Sequence, residues 1–252
     1  MPKHLKALTC EVLSRQVYLA AAHSPNVVDV ELLRKGLHNT PEKLRAALQA
    51  QIDAASDDGF DAVVLAYGLC GQSVMGLKAR RTPLVVPRAH DCITLYLGSR
   101  DRYTRAFTDN PGTYWFSLDY VERSNTDKSD GLVVLGSNAT ADSIQATYEE
   151  YVEKYGKDNA DYLMEVMGAW QQHYNRAAFI DTGVGDASRA EAEARAFAAE
   201  RGWTFERMAG DNSLIRRLID GAWDHDFLVV PPGEEITQQM NGDIVDSQPY
   251  QE

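Results

Sequence analysis

The chain is predicted to be an α/β protein with a mostly parallel sheet and helices on both faces, and three observations predict it. Short β-branched runs such as Ala62-Val63-Val64-Leu65 and Leu84-Val85-Val86 alternate with amphipathic stretches, the pattern of βαβ units. The same alternation resumes after residue 176, following an aromatic and polar middle segment. The 252 residues are 44% hydrophobic and 25% charged, the balance of a folded globular chain large enough for one big domain or two small ones.

Taken in order, Leu5–Leu13 reads as a strand. Thr40-Pro41-Glu42 offers an N-cap, a proline at the first helical position and an early acid, opening a helix through about Ala55 with Leu44, Ala47, Leu48, Gln51 and Ile52 on its core face. The turn Asp57-Asp58-Gly59 leads into strand Phe60–Tyr67, and Thr82–Pro87 is a third strand. Gly112–Leu118 is a strand that Asp119-Tyr120-Val121 would extend, and Glu122–Gly131 is a surface loop. Helices are expected over Thr140–Tyr155 and Asp158–Tyr174. There follow strand Ala177–Asp181, helix Ser188–Arg201, strand Trp203–Met208, helix Asn212–Ala222 and strand Phe227–Val230. Residues 1–237 therefore form either a single α/β unit or two similar lobes, about 1–110 and 111–237, around a cleft. Residues 238–252 read as a polar tail.

Charge narrows the functional classes. A net charge of −12 repels a phosphate backbone, and the densest basic stretch, Lys78-Ala79-Arg80-Arg81, is too short to override it. Nucleic acid and an anionic membrane surface are therefore poor partners, and no segment has the ~20 apolar residues that span a bilayer. The N-terminus lacks a signal-peptide pattern, so a cytoplasmic protein acting on a small molecule is expected. Three cysteines, an odd number, do not make a disulfide framework; they are read as thiols.

Cys10, Cys70 and Cys92 all fall near the C-terminal ends of expected strands, where open α/β sheets form their ligand crevice. Three thiolates with His90 match a tetrahedral Cys₃His zinc site, and three thiolates alone leave the open position a catalytic metal needs. Gly68 and Gly71 flank Cys70 and permit close backbone approach to a ligand. Asp91 either orients His90 or caps a helix that begins at Cys92. The competing reading makes the cysteines small core side chains, with Leu8, Cys10 and Val12 as one buried stripe. Two other loops are candidates for the same crevice: Asp181–Asp186, whose Gly183 and Gly185 would bring backbone N–H groups near an anion, and Pro231–Glu235 around Gly233. His4, His23, His38, His173 and His225 have no motif around them and are read as surface or structural. Serine-hydrolase, phosphate-loop and zinc-protease motifs are absent.

At Cys10, Tyr67-Gly68-Leu69-Cys70-Gly71, His90-Asp91-Cys92, Gly221-Ala222-Trp223 and Phe227–Gly233 the chain resembles a bacterial and archaeal family, domain of unknown function 1638, over about Leu5–Glu235. Members are often encoded beside corrinoid-dependent methyltransferases acting on methylamines and related compounds, which implies a place in one-carbon metabolism and supplies no catalytic residues. The expectation is thus a metal-dependent enzyme with Cys10, Cys70 and Cys92 as ligands, and His90 as fourth ligand or, with Asp91, as proton carrier. Zinc would serve methyl transfer or hydrolysis, and an open-site iron–sulfur cluster would serve lyase-type chemistry. The alternative is a non-enzymatic accessory protein that binds a metal or corrinoid for a methyltransferase. A third reading has no metal and binds its ligand through the loops at Asp181–Asp186 and Pro231–Glu235.

Overall fold

In the computed structural model, which describes residues 1–69, 72–124, 152, 157, 174–238 and 244–250, the chain begins with three neighbouring parallel strands. These are β1 (His4–Cys10), β2 (Val27–Leu33) and β3 (Ala62–Ala66); between them lie α1 (Ser14–His23) and α2 (Pro41–Ala55). Then come β4 (Leu84–Pro87), α3 (Cys92–Leu97), α4 (Arg100–Asp109), β5 (Thr113–Ser117), α5 (Leu118–Ser124), β6 (Arg176–Asp181), α6 (Ser188–Glu200), β7 (Thr204–Ala209), α7 (Ser213–Asp220), β8 (Phe227–Val230), β9 (Glu234–Gln238) and β10 (Val245–Pro249). The largest sheet has the order β2-β1-β3-β4-β8, parallel except for β8. A three-stranded parallel sheet runs β5-β6-β7, and β9 and β10 form an antiparallel pair.

The order 2-1-3-4 has a functional consequence. From β1 the chain moves to one side to reach β2, then returns across β1 to reach β3. With the right-handed crossovers that L-residues impose, α1 and α2 fall on opposite faces of the sheet. The strand order reverses between β1 and β3, and in doubly wound sheets the ligand crevice opens at such a reversal, beyond the carboxyl ends of the strands.

Packing follows from the sequence pattern. Ala62-Val63-Val64-Leu65-Ala66 is buried throughout, as a central strand covered on both faces must be. Helix α2 buries Leu44, Leu48, Ile52 and Ala55 at helical spacing. Pro41 stands at its first turn, whereas Thr40 makes no side-chain capping bond; its carbonyl accepts the Lys43 and Leu44 amides at 2.9 and 3.2 Å instead. Leu214, Ile215, Leu218 and Ile219 of α7 pack into the same core, with α7 against α1, β3 and β4. A second core of Phe116, Ala177, Phe179, Ala190, Ala194 and Phe197 joins β5 and β6 to α6.

Several sequence expectations are corrected. The first strand ends at Cys10, and Glu11–Leu13 is a 3-10 turn that redirects the chain. Helix α1 and strand β2 are absent from the sequence reading. Strand β2 lies at the edge of its sheet and alternates valine with acids, Asp29 meeting His4 at 3.3 Å and Glu31 meeting Lys6 at 3.5 Å across the ladder. Asp119-Tyr120-Val121 belongs to helix α5 and does not extend the strand. Within the expected polar tail, Val245–Pro249 pairs with Glu234–Gln238 as β10. The helices expected over Thr140–Tyr155 and Asp158–Tyr174 lie, but for isolated positions, outside the described residues, as do Cys70 and Gly71. No helix among the described residues is long and apolar enough to cross a membrane.

Candidate functional site at the carboxyl ends of the parallel strands

Cys10 is the last residue of β1, buried at 2% exposure and held in the main core. Burial pushes its thiol up to about 12, so by itself it is neutral at pH 7. Cys92 opens α3 and is half-buried, packed against the same core. The two thiols share a neighbour: the buried Tyr96 lies within electrostatic reach of both, and its hydroxyl donates to the carbonyl of Val12 just beyond Cys10. Burial, above all, raises Tyr96 well beyond the ordinary phenol range, so it stays protonated and acts as a donor.

The loop that carries Cys70 is tied to the loop that carries Cys92. The Leu69 amide donates to the Ala89 carbonyl at 2.9 Å, and a side chain at Gly68 would sit 2.6 Å from the Asp91 nitrogen and 2.7 Å from its Cα. Glycine at 68 is therefore a requirement of loop-on-loop packing.

Asp91 resolves its two readings in favour of the cap. Its Oδ1 accepts from the Ile93 and Thr94 amides at 2.9 and 3.3 Å, and its Oδ2 accepts from the Tyr103 hydroxyl at 3.1 Å. Burial raises the Asp91 carboxyl, opposed by those same donors. Asp91→Ala is expected to cost about 0.5–2 kcal/mol in urea unfolding through loss of the cap. Asp91→Asn, which keeps an accepting oxygen, should recover most of it. His90 is exposed, its ring tilted on Tyr103 with centroids 6.0 Å apart. Among the described residues no three of His, Cys, Asp and Glu gather as a metal-holding group, so nothing described joins His90 to Cys10 and Cys92.

The elements after β5 and β6 pack against the start of α1. Arg15, in α1, pairs with Asp119 and, at 2.7 Å, with Glu122. Arg123 meets Glu11 at 3.6 Å, and Glu11 in turn accepts the Lys35 amide at 2.8 Å. The Lys35 ammonium lies 4.8 Å above the Tyr120 ring. Gln16 donates to the Thr182 hydroxyl at 2.9 Å, and Gly185 packs so closely that a Cβ there would meet Leu118 at 2.8 Å and Arg15 at 3.1 Å. Gly183 and Gly185 both have positive φ, 71° and 84°, so the loop after β6 needs glycine for its turn as well as its packing. The Gly183 amide donates to Asp181 of its own loop at 2.9 Å.

Gly233 is a correction to the expected crevice. Because β8 runs antiparallel to β4, Val230 pairs with Leu84, and the Pro231–Glu235 loop emerges at the opposite end of the sheet from Cys10 and Cys92. Gly233 serves a turn there, with φ 88° and its amide bonded to the Ala79 carbonyl at 3.0 Å.

Sequence reasoning missed Tyr96 and Lys35, which carry no motif and come within electrostatic reach of the thiols only through the folding of separate segments, and the pair of Arg15 with Asp119, which joins segments about a hundred residues apart. Fold and site together define an α/β protein whose largest sheet reverses its strand order between β1 and β3, with Cys10 and Cys92 near the carboxyl ends of its parallel strands. The family described as protein of unknown function (DUF1638) matches residues 32–219, and the chain belongs to that family. The matched span holds Cys70 and Cys92 and begins after Cys10, a narrower reach than the resemblance suggested. No curated protein and no solved structure matches the chain.

Proposed function

We propose that the protein is a metal-dependent enzyme whose Cys10, Cys70 and Cys92 hold a metal at the crevice, in one-carbon metabolism linked to methylamines. One observation supports it most: the strand order reverses between β1 and β3, and the three cysteines follow β1, β3 and β4, three neighbouring strands with one direction. The donor set fits a soft ion, since thiolates select zinc or iron–sulfur over magnesium or calcium. A thiol as buried as Cys10 is ionised at neutral pH only when a cation replaces its proton, so loading would release protons. Zinc is the preferred ion, with an iron–sulfur cluster as the alternative. Bound there, it would activate a water or thiol for methyl transfer or hydrolysis. The chain's own groups do the rest: Tyr96 offers a buried phenol near both thiols, and Gly68 keeps the Cys70 and Cys92 loops together. A corrinoid protein or methyltransferase is the proposed partner, on the strength of the family resemblance.

Anaerobic purification followed by metal analysis and absorption spectroscopy tests this. About one zinc per chain is expected, with most of it lost in Cys70→Ser and Cys92→Ser variants that keep their circular dichroism. Several irons and a brown colour would select the cluster. Metal-bound protein that turns over no methylated substrate but copurifies with a corrinoid protein would favour the accessory role. Folded, metal-free protein that resists reconstitution would leave the cysteines as core residues.

A further inference from the structure

The two parallel sheets meet by their carboxyl ends. Residues that follow β1 and β2 touch those that follow β5 and β6: Arg15 pairs with Asp119 and Glu122, Glu11 with Arg123, Gln16 with Thr182, and the Lys35 ammonium lies over the Tyr120 ring. Beside these ionic and polar contacts, the apolar groups of β5–β7 and α5 that reach the main core are Ile180 and the partly buried Trp115, Tyr120 and Met208. A polar seam within a chain permits relative motion of the units it joins. In chain order the strands pass from the larger sheet to the smaller between β4 and β5, and return between β7 and β8. Those two connections touch. The Asp211 amide donates to the Tyr96 carbonyl at 2.9 Å, and Arg102 donates to the Leu97 and Ala209 carbonyls at 2.8 and 2.7 Å. Gly98, with φ 70°, lies so close that a Cβ there would meet the Asp211 carbonyl oxygen at 2.6 Å. Two adjoining crossings at the ends of helices and strands have the layout of a hinge, where a few residues absorb the φ/ψ change of closure.

The seam also carries unmet polar groups. Asp119 and Gln16 are 1% and 2% exposed, and one oxygen of each, Oδ2 and Oε1, is closed off from solvent without a hydrogen-bond partner among the described residues; Asn212 Oδ1 is a third. One chain of contacts links them. The side-chain amides of Gln16 and Asn212 donate to the hydroxyl and the carbonyl of Thr182 at 2.9 and 3.3 Å, and Asp119 takes the guanidinium of Arg15, the residue beside Gln16. Asp119 and Thr182 also follow the same rung of the β5–β6 ladder, each two residues beyond the pair Ser117 and Ile180. All three unmet atoms are oxygens, so each lacks a donor, and burial in that state is costly. We propose that the seam is a ligand cleft in its closed form, hinged at Gly98 and Ala209–Asp211, and that it takes a small molecule whose N–H groups reach the oxygens of Gln16, Asp119 and Asn212. Small ligands are commonly held between the units of a chain, and closure over them shuts out water. None of these groups is a cysteine, so the cleft goes beyond the thiol centre and does not rest on it.

p-Acetylphenylalanine in place of Lys43 and of Ala199, exposed positions of α2 and α6, lets spin labels be attached without using the thiols. Pulsed electron resonance then reads the separation of the two helices, one on each sheet, and circular dichroism checks that each protein is folded. A single short separation is expected at low salt. Potassium chloride at about 1 M, where the screening length is ~3 Å, should add a longer separation with the seam residues unaltered, and Arg123→Ala should do so at lower salt. At equal ionic strength ammonium chloride should restore the short separation, whereas tetramethylammonium chloride, which has no N–H, should not; Gln16→Leu should abolish that difference. A single separation that neither salt nor Arg123→Ala changes would show a permanent interface and overturn the cleft. Opening that ammonium and tetramethylammonium affect alike would overturn the N–H-bearing ligand.

Discussion

Gly68→Ala is expected to destabilise the protein by about 1–3 kcal/mol and, under the metal centre proposed above, to weaken metal binding as well. The added methyl would meet the Asp91 nitrogen at 2.6 Å, its Cα at 2.7 Å and its carbonyl carbon at 2.9 Å, all backbone atoms. A side chain can rotate away from such a contact; a backbone held by the cap at Ile93 and Thr94 cannot. Relief would require the loop after β3 to lift from the loop after β4, breaking the 2.9 Å bond from Leu69 to Ala89. Under the metal centre proposed above, the same movement would also lower metal content. Urea unfolding should show a lower midpoint with an unchanged slope, and metal analysis a substoichiometric ion. A variant as stable as the parent would show that the two loops are not packed as described.

Arg15→Ala is expected to cost about 2–3 kcal/mol near neutrality, and the cost should shrink in acid. Asp119 is 1% exposed; one carboxylate oxygen takes the Arg15 guanidinium, and the other is buried without a hydrogen-bond partner among the described residues. Removing one member of a buried pair leaves an uncompensated charge, which costs about 3–5 kcal/mol when both are fully enclosed. Arg15 is 34% exposed and partly screened by water, hence the smaller figure. Burial raises the Asp119 carboxyl above its ordinary value while Arg15 pulls it down. A carboxyl whose folded pKa is raised holds its proton more tightly in the native state. Stability therefore falls as pH rises from the unfolded pKa through the folded one, and is flat beyond. Without Arg15 the folded value climbs further and that window extends toward neutrality. The gap between parent and variant, measured by urea unfolding, should accordingly be wider near pH 8 than near pH 4.5. A gap independent of pH would show that Asp119 stays ionised without its arginine.

Much of the frame was legible in the sequence because it rests on local periodicity. Phe227–Val230 was read to the residue, and α2, β6, α6, β7 and α7 to within a residue or two, since each pairs a clear apolar pattern with a glycine, proline or polar boundary. Edge strand β2 was not, because half of its side chains face solvent or a charged neighbour and its alternation resembles an amphipathic loop. Asp119-Tyr120-Val121 reads as able to continue the strand because Tyr120 and Val121 favour β structure, and Glu122–Ser124 reads as the start of a loop; packing of Leu118 and Val121 into the second core decided for helix. Asp91 was legible as a cap because capping is local, within three residues.

The sequence by itself determined the α/β class, the family, the placement of Cys10 and Cys92 at strand ends and the glycine beside the Cys70 loop. These follow from residue type and near-neighbour spacing, which a linear chain displays directly. Only the tertiary structure decided that β8 runs backwards and carries Gly233 to the far end of the sheet, that Arg15 neutralises Asp119 some hundred residues away, and that the His38 ring stacks on Tyr67. Strand order and direction are set by which buried faces pack together over long sequence separations. Such contacts leave no periodic mark on the chain.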